Sequence, residues 1–168
     1  PARVCMMCVH PDYNGRITHT DTAMRYRLTS LILGAALASG CATSPTGRSQ
    51  LVLMPESQMD QMGLQAFTNI KDETPVERNR TTNSYVQCVG KAITREVGGS
   101  WEIVVFQDDA ANAFALPGRK IGVNTGLLKV AENQHQLATV LGHEVAHVLS
   151  QHANERVSQQ FAVEQGLG

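Results

Sequence analysis

The residues with the clearest chemical potential are His143, Glu144 and His147, which form the pattern H-E-x-x-H. On an α-helix, residues four apart lie on one face about one turn apart, so both imidazoles can direct a nitrogen to one point. Two neutral imidazoles suit Zn²⁺, and catalytic zinc sites use three protein ligands and an open position for water. Glu144 would then lie beside the metal, where it can take a proton from the water and pass it to a leaving amine. The residue types and their spacing predict hydrolysis.

The segment around this motif has the apolar spacing of a buried helix, and Asn133 with Gln136 resembles a capping box at its start. In this interpretation Gly142 leaves room for a neighbouring backbone to approach the metal. The alternative is an ordinary core helix whose two histidines are satisfied by hydrogen bonds.

A third zinc ligand is not evident from spacing. His152 comes five residues after the second motif histidine, about 140° further round a straight helix, so we expect it to face away from the pair. The metzincin pattern would need Gly and His where the chain has Ser150 and Ala153. His135 and Glu155 each lie two helical turns from the nearer motif histidine, which is too far to ligate.

Composition narrows the class of protein. A chain of 168 residues can hold one modest domain, and a formal charge of −1 with few aromatic residues gives no basic patch for nucleic acid. Residues 1–23 are polar and contain Cys5 and Cys8 as C-x-x-C, which can be redox-active or half of a zinc site. No second pair supports either role, so we interpret residues 1–23 as an upstream or non-native segment.

Residues 24–40 have the pattern of a secretory signal: two arginines, then the apolar run Leu28 to Ala38, too short to cross a bilayer of about 30 Å. The sequence Leu-Ala-Ser-Gly-Cys that ends at Cys41 resembles the bacterial lipobox. This resemblance implies that Cys41 becomes lipidated and that the protein faces the periplasm, and Ala42 favours the outer membrane. The alternatives are a plain signal peptide or a buried apolar helix with an incidental cysteine.

Residues 41–50 are interpreted as a tether to a domain that spans residues 51–168. After cleavage at Cys41 only Cys88 would keep a free thiol, so no intramolecular disulfide is expected. Its amphipathic surroundings predict a small buried hydrophobe rather than a nucleophile.

Two helices and a small sheet are predicted before the motif. The first helix runs from Glu56 or Ser57 to Ile70 with an apolar stripe, and the second runs from Asn83 to Val97 and backs the motif helix. The stripe of the first helix consists of Met59, Met62, Ala66 and Ile70.

The predicted sheet has a strand from Trp101 to Phe106 and a hairpin of residues 113–116 and 120–124. Thr125 is predicted to cap a short helix that follows. A free strand edge in this sheet can add an extended peptide as one more strand, but it can equally be a structural edge without a ligand.

Three blocks carry a family resemblance: residues 112–118 (N-A-F-A-L-P-G), residues 121–128 (I-x-V-x-T-G-L-L), and residues 142–147 (G-H-E-V-A-H) followed by His152. Together they resemble metallopeptidase family forty-eight, which includes the CAAX prenyl endopeptidases and HtpX-type proteases. The lipobox makes the periplasmic lipoproteins of the LoiP and BepA type the most similar group.

The resemblance covers about residues 47–168 and implies a gluzincin with an α+β, zincin-like fold, helices around a small mixed sheet. It implies that His143 and His147 bind zinc, that Glu144 is the general base, and that residues 112–115 (Asn112, Ala113, Phe114 and Ala115) align the substrate. The family's third ligand is a Glu in a downstream Glu-x-x-x-Asp helix that this chain does not contain. We therefore expect an N-terminal fragment, incomplete at its C-terminus, that binds zinc weakly.

The function expected from these observations is zinc-dependent endoproteolysis of misfolded cell-envelope proteins. One alternative is a non-catalytic, chaperone-like or assembly-factor lipoprotein of the same fold. A structural zinc helix would need a fourth ligand, and the sequence offers none.

Overall fold

The computed structural model describes residues 41–45 and 47–166. The elements of this part follow in chain order: β1 (Cys41–Thr43), β2 (Ser49–Leu51), α1 (Glu56–Glu73), α2 (Arg80–Val97), β3 (Glu102–Phe106), β4 (Ala113–Leu116), β5 (Lys120–Asn124), α3 (Leu127–Val130), α4 (Gln134–Leu149) and α5 (His152–Glu164). Helices and small sheets in this mixture confirm the α+β class. The predicted signal and the segment before it lie outside the described residues. None of the described helices is long and apolar enough to cross a membrane.

The central sheet has three strands in the order β3, β5, β4. The predicted hairpin is confirmed, because β4 and β5 pair antiparallel with Ala113 opposite Val123. β3 lies on the other side of β5 and runs parallel to it. β4 is therefore an edge strand of this sheet.

One face of the sheet packs against α2 and α4. Residues on this face alternate along each strand, as expected when one side of a sheet is buried. The core consists of Val86, Val89, Ile103, Val105, Ala113, Ile121, Val123, Leu127, Ala131, Leu137, Leu141 and Val145. The prediction that the second helix backs the motif helix is confirmed.

The opposite face of the sheet packs against α1 through three aromatic rings. Phe67 of α1 meets Phe106 and Phe114 edge to face at ring-centroid distances of 6.0 and 6.3 Å, and Phe114 lies over Gly122. The predicted methionine stripe is only partly correct, because Met59 is buried whereas Met62 is 46% exposed.

The termini of α2 and α4 follow local sequence signals. The side chain of Asn133 accepts hydrogen bonds from the backbone N–H groups of His135 and Gln136 at 3.0 and 3.1 Å. The Gln136 side chain accepts in return from the N–H of Glu132 at 2.7 Å, so the capping box is confirmed with its return bond one residue earlier. Gly98 ends α2 with φ of 72°, as the pattern predicts.

Two predictions about single side chains are wrong. The side chain of Thr125 does not cap α3, because its hydroxyl is engaged by the backbone of Asp108, accepting from the N–H and donating to the carbonyl. Cys88 is exposed rather than buried. The buried face of α2 runs through Val86, Val89 and Gly90, which leaves Cys88 on the solvent side.

The segment predicted as a tether is not an open chain where the structure describes it. β1 and β2 form an antiparallel ladder with Cys41 opposite Leu51, and β2 packs against α5. The next residues are held by α5 as well. The Leu53 N–H donates to the Ser158 hydroxyl at 2.8 Å, and the Asn154 amide donates to the Met54 carbonyl at 2.8 Å. The domain boundaries that we drew here remain predictions.

Two helical glycines offer a matched test of this packing. A methyl group on Gly63 would lie 2.1 Å from the backbone oxygen of Pro117, whereas one on Gly142 would meet nothing within 4 Å. We expect G63A to lower the free energy of unfolding by about 1–3 kcal/mol through overpacking. G142A should raise it by up to about 1 kcal/mol through helix propensity. Urea denaturation measures both, and a G63A protein as stable as G142A would contradict this account of the contact between α1 and the hairpin turn.

Candidate active site

Burial of one face of α4 determines what its other face presents. Leu137, Leu141 and Val145 are buried in the core. The motif residues consequently point away from the core: His143 is exposed, while Glu144 and His147 are half-buried. An amphipathic helix of this kind fixes the direction of polar side chains through the packing of its apolar side.

The two motif histidines converge. Their Nε2 atoms are 2.9 Å apart, and the ring centroids lie 4.4 Å apart at an interplanar angle of 83°. Two imidazole ligands of one tetrahedral zinc ion, each at about 2.0–2.1 Å, would be about 3.3 Å apart. A movement of a fraction of an ångström reaches that spacing, so this donor pair fits zinc. The role we assigned to Gly142 is not supported, because no described atom approaches its Cβ position within 4 Å.

The prediction that His152 faces away from the pair is wrong. The helix ends at Leu149, and Gln151 adopts a left-handed conformation with φ of 53°. The chain turns there, so His152 begins a new helix instead of continuing round α4. Its Nδ1 atom lies 2.5 Å from Nδ1 of His147.

No cluster of three His, Cys, Asp or Glu side chains able to hold a metal occurs in the part of the chain that the structure describes. Glu155 is engaged elsewhere: Arg48 donates to its two carboxylate oxygens at 2.7 and 2.5 Å. These hydrogen bonds, together with the charge of Arg48, hold the pKa of the Glu155 carboxyl below its ordinary value of 4.5. The described residues therefore offer two imidazole nitrogens that could hold a metal ion, with Glu144 as their neighbour.

A cavity of about 910 Å³ opens beside the motif. Glu144 and His147 line it together with the start of α5, the start of α1 and the turn between β4 and β5. Arg48, Asp60 and Arg119 add charges to its wall. Sequence reasoning missed these three, since they come from distant segments and carry no local signal.

The four residues expected to align a substrate are differently placed. Ala113 is 6% exposed and belongs to the core, and Phe114 packs against two other rings. Asn112 is exposed, and its carbonyl accepts from the N–H of Asn124 at 3.0 Å. Only Ala115 lines the cavity. The side chains of Ala113 and Phe114 serve the interior, which leaves the backbone of β4 as the group available to a ligand.

Two converging histidines on a helix, beside a cavity and an edge strand, call for a comparison with known families. The model of Peptidase family M48 matches residues 77–166, which include the helices α2 to α5 and the strands β3 to β5. The chain belongs to this family. Membership agrees with the resemblance found in the sequence and with the α+β fold.

Two relatives of similar sequence are named as a metalloendopeptidase and as a protease. The chain is 31% identical over 109 residues to mitochondrial metalloendopeptidase OMA1 of Arabidopsis thaliana, a match that covers 65% of this chain and 22% of that protein. It is 26% identical over 121 residues to the beta-barrel assembly-enhancing protease of Escherichia coli, covering 70% of this chain and 25% of that protein. The chain therefore spans a quarter or less of the length of these relatives.

The pair of Arg48 and Glu155 gives a pH prediction for this cavity wall. Because the folded pKa of Glu155 is lowered, its contribution to stability is present above pH 4.5 and is lost as the pH falls through the folded pKa. R48M should therefore destabilise the protein at neutral pH, and the difference from wild type should shrink in acid. Urea denaturation between pH 3 and 7 measures this.

Arg156 provides the matched control, since it is the next residue of α5, is exposed, and forms no ion pair among the described residues. R156M should show no such dependence. A difference between R48M and wild type that stays constant from pH 7 to pH 3 would contradict the assignment to Glu155.

Proposed function

We propose that this chain carries the catalytic helix of a zinc metalloendopeptidase, with His143 and His147 as zinc ligands and Glu144 as the general base. The observation that carries the proposal is the convergence of the two Nε2 atoms at 2.9 Å beside a cavity that Glu144 also lines. Family membership supports the same class of activity. The alternative is an ordinary core helix whose two histidines only form hydrogen bonds. It does not account for the outward direction of His143 and His147.

The proposed chemistry divides between the metal and the glutamate. Zinc, when bound, supplies Lewis-acid polarisation of the scissile carbonyl and lowers the pKa of water. Glu144 precedes the core residue Val145 and is half-buried in the cavity wall, so packing restricts its position. From there its carboxylate accepts the proton of the attacking water and returns it to the leaving amine.

The substrate is proposed to be an extended polypeptide that binds along β4. The N–H of Asn124 donates to Asn112, and paired residues alternate in an antiparallel ladder. Ala113 and Ala115 consequently direct their backbone groups to the free edge, and Ala115 reaches the cavity. Backbone pairing of this kind needs no particular side chain. It suits misfolded polypeptides, the substrate class that we propose, with the cell envelope as their source.

We expect E144Q to reduce peptide hydrolysis by about 10²–10⁴-fold while leaving bound zinc unchanged, because the amide cannot accept the proton. The protein expressed from its whole gene is assayed with an unfolded, fluorescently labelled substrate, and zinc is measured by metal analysis. E96Q, an exposed glutamate on α2, is the matched control and should keep wild-type turnover. H143A and H147A should lose zinc and hydrolysis together.

Turnover that survives E144Q would contradict the proposed general base. A wild-type protein that binds unfolded substrate, never cleaves it, and functions equally well as E144Q would favour the chaperone-like alternative.

Lipid anchoring at Cys41 is proposed separately, on the lipobox-like sequence that ends there. β1 begins at this same residue, so an anchor at Cys41 would hold the domain close to the membrane surface. The relative in Escherichia coli is named for the assembly of beta-barrels, which agrees with an outer-membrane location facing the periplasm.

In cells fed an alkyne-labelled fatty acid, the wild-type protein should incorporate label and C41A should not, because the acceptor thiol is gone. C88A is the matched control, since Cys88 is exposed in the folded domain, and it should be labelled like wild type. Label that persists in C41A would rule out Cys41 as the acylation site.

A further inference from the structure

His147 has a partner at each of its two ring nitrogens. On one side, Nε2 faces Nε2 of His143 at 2.9 Å. On the other side, Nδ1 faces Nδ1 of His152 at 2.5 Å, with ring centroids 4.7 Å apart and planes tilted by 58°. The imidazole of His147 therefore bridges the motif and the following helix.

The bridge restricts where His147 carries its proton. A neutral imidazole has one N–H and one lone pair, and a ligand must offer the lone pair to the metal. If Nε2 of His147 is that ligand atom, its proton is on Nδ1, and Nδ1 of His152 is the acceptor. The reverse arrangement would place a proton between the two Nε2 atoms and remove the lone pair.

Hydrogen bonds to residues 48–54 hold the helix on which His152 lies. Two residues further along α5, Asn154 exchanges hydrogen bonds with the backbone of Met54, and the Ser158 hydroxyl accepts from the Leu53 N–H at 2.8 Å. Arg48 binds Glu155 with both guanidinium nitrogens. Asn154, Glu155 and Ser158 are all buried. The segment of residues 48–54 thus fixes the helix that carries His152.

We infer that His152 is a positioning residue for His147. Its Nδ1 accepts a hydrogen bond from Nδ1–H of His147, which selects the tautomer and ring orientation that present Nε2 beside His143. An outer partner of this kind commonly fixes a ligating histidine and raises its basicity. The inference rests on the proposed zinc site only for the purpose that the orientation serves.

His152 is not itself the missing ligand in this arrangement. A metal held by His143 and His147 would be bound through the Nε2 atoms that face each other, whereas His152 contacts the opposite nitrogen of the His147 ring. The two roles also predict different substitutions. Asparagine places its side-chain oxygen near the position of Nδ1, whereas glutamine reaches toward the position of Nε2, so only asparagine should preserve an acceptor for His147.

The first experiment is nuclear magnetic resonance of the histidine rings in the zinc-free protein, with signals assigned through single histidine variants. Wild-type His147 should carry its proton on Nδ1. H152A should shift it toward Nε2, and H152N should keep the wild-type tautomer. H135A is the matched control, because His135 is exposed at the start of α4, the helix that also carries His147. It should leave the tautomer of His147 unchanged.

The second experiment measures zinc affinity by competition with a chelator. H152A and H152Q should bind zinc about 10–100-fold more weakly than wild type, and H152N should stay within about threefold. Circular dichroism of each variant verifies folding, and the comparison of H152N with H152Q stands even if H152A unfolds. Wild-type affinity in both H152A and H152Q, or a wild-type His147 protonated on Nε2, would overturn the inference.

The tautomer measurement needs neither zinc nor substrate. A protein with the expected tautomers but without hydrolysis would leave the positioning role intact and contradict the proposed function. The converse result would contradict the positioning role alone.

Discussion

The left-handed backbone of Gln151 is the constraint on which the surroundings of the motif depend. A residue other than glycine adopts positive φ only where neighbouring structure compensates for the cost. Here α4 ends at Leu149, two residues after His147, and the chain reverses at Gln151 with φ of 53°. A straight continuation would carry His152 about 140° away from the motif. The turn instead brings His152 into contact with His147 and places α5 against the segment of residues 48–54.

Because of this turn, α5 connects the segment of residues 48–54 to the surroundings of the motif. The segment from Arg48 to Met54 is held by Asn154, Glu155 and Ser158, and these three side chains are buried. Each hydrogen bond in such a network contributes only about 0.5–1.5 kcal/mol, but a buried polar group left without its partner costs about 1–3 kcal/mol. Loss of one member therefore disturbs the others. The stability of the segment of residues 48–54 therefore depends on the position of α5, and the position of α5 depends on that segment.

The sequence predicted what local physics determines. The motif helix, its Asn133 cap and the hairpin depend on periodicity, capping and turn residues within a few positions, and each is confirmed. The spacing of His143 and His147 predicted the convergence of their rings on the same basis. The features that were missed are nonlocal: the parallel pairing of β3 with β5, the charges of the cavity wall, and the proximity of His152 to His147. The prediction for His152 assumed a straight helix. It was wrong because neither Ser150 nor Gln151 is a glycine or asparagine, the residues that usually indicate a left-handed turn.

The same sheet both buries the apolar side of the motif helix and limits which of its own surfaces remain accessible. Its inner face takes up the apolar side of α4, which holds the motif residues in one direction. Its outer face is occupied by α1 through the rings of Phe67 and Phe114. With both faces covered, the two edges of the sheet remain. The edge of β3 is bridged by Val76, whereas no described strand pairs with the outer edge of β4, and Ala115 brings that edge to the cavity that Glu144 lines.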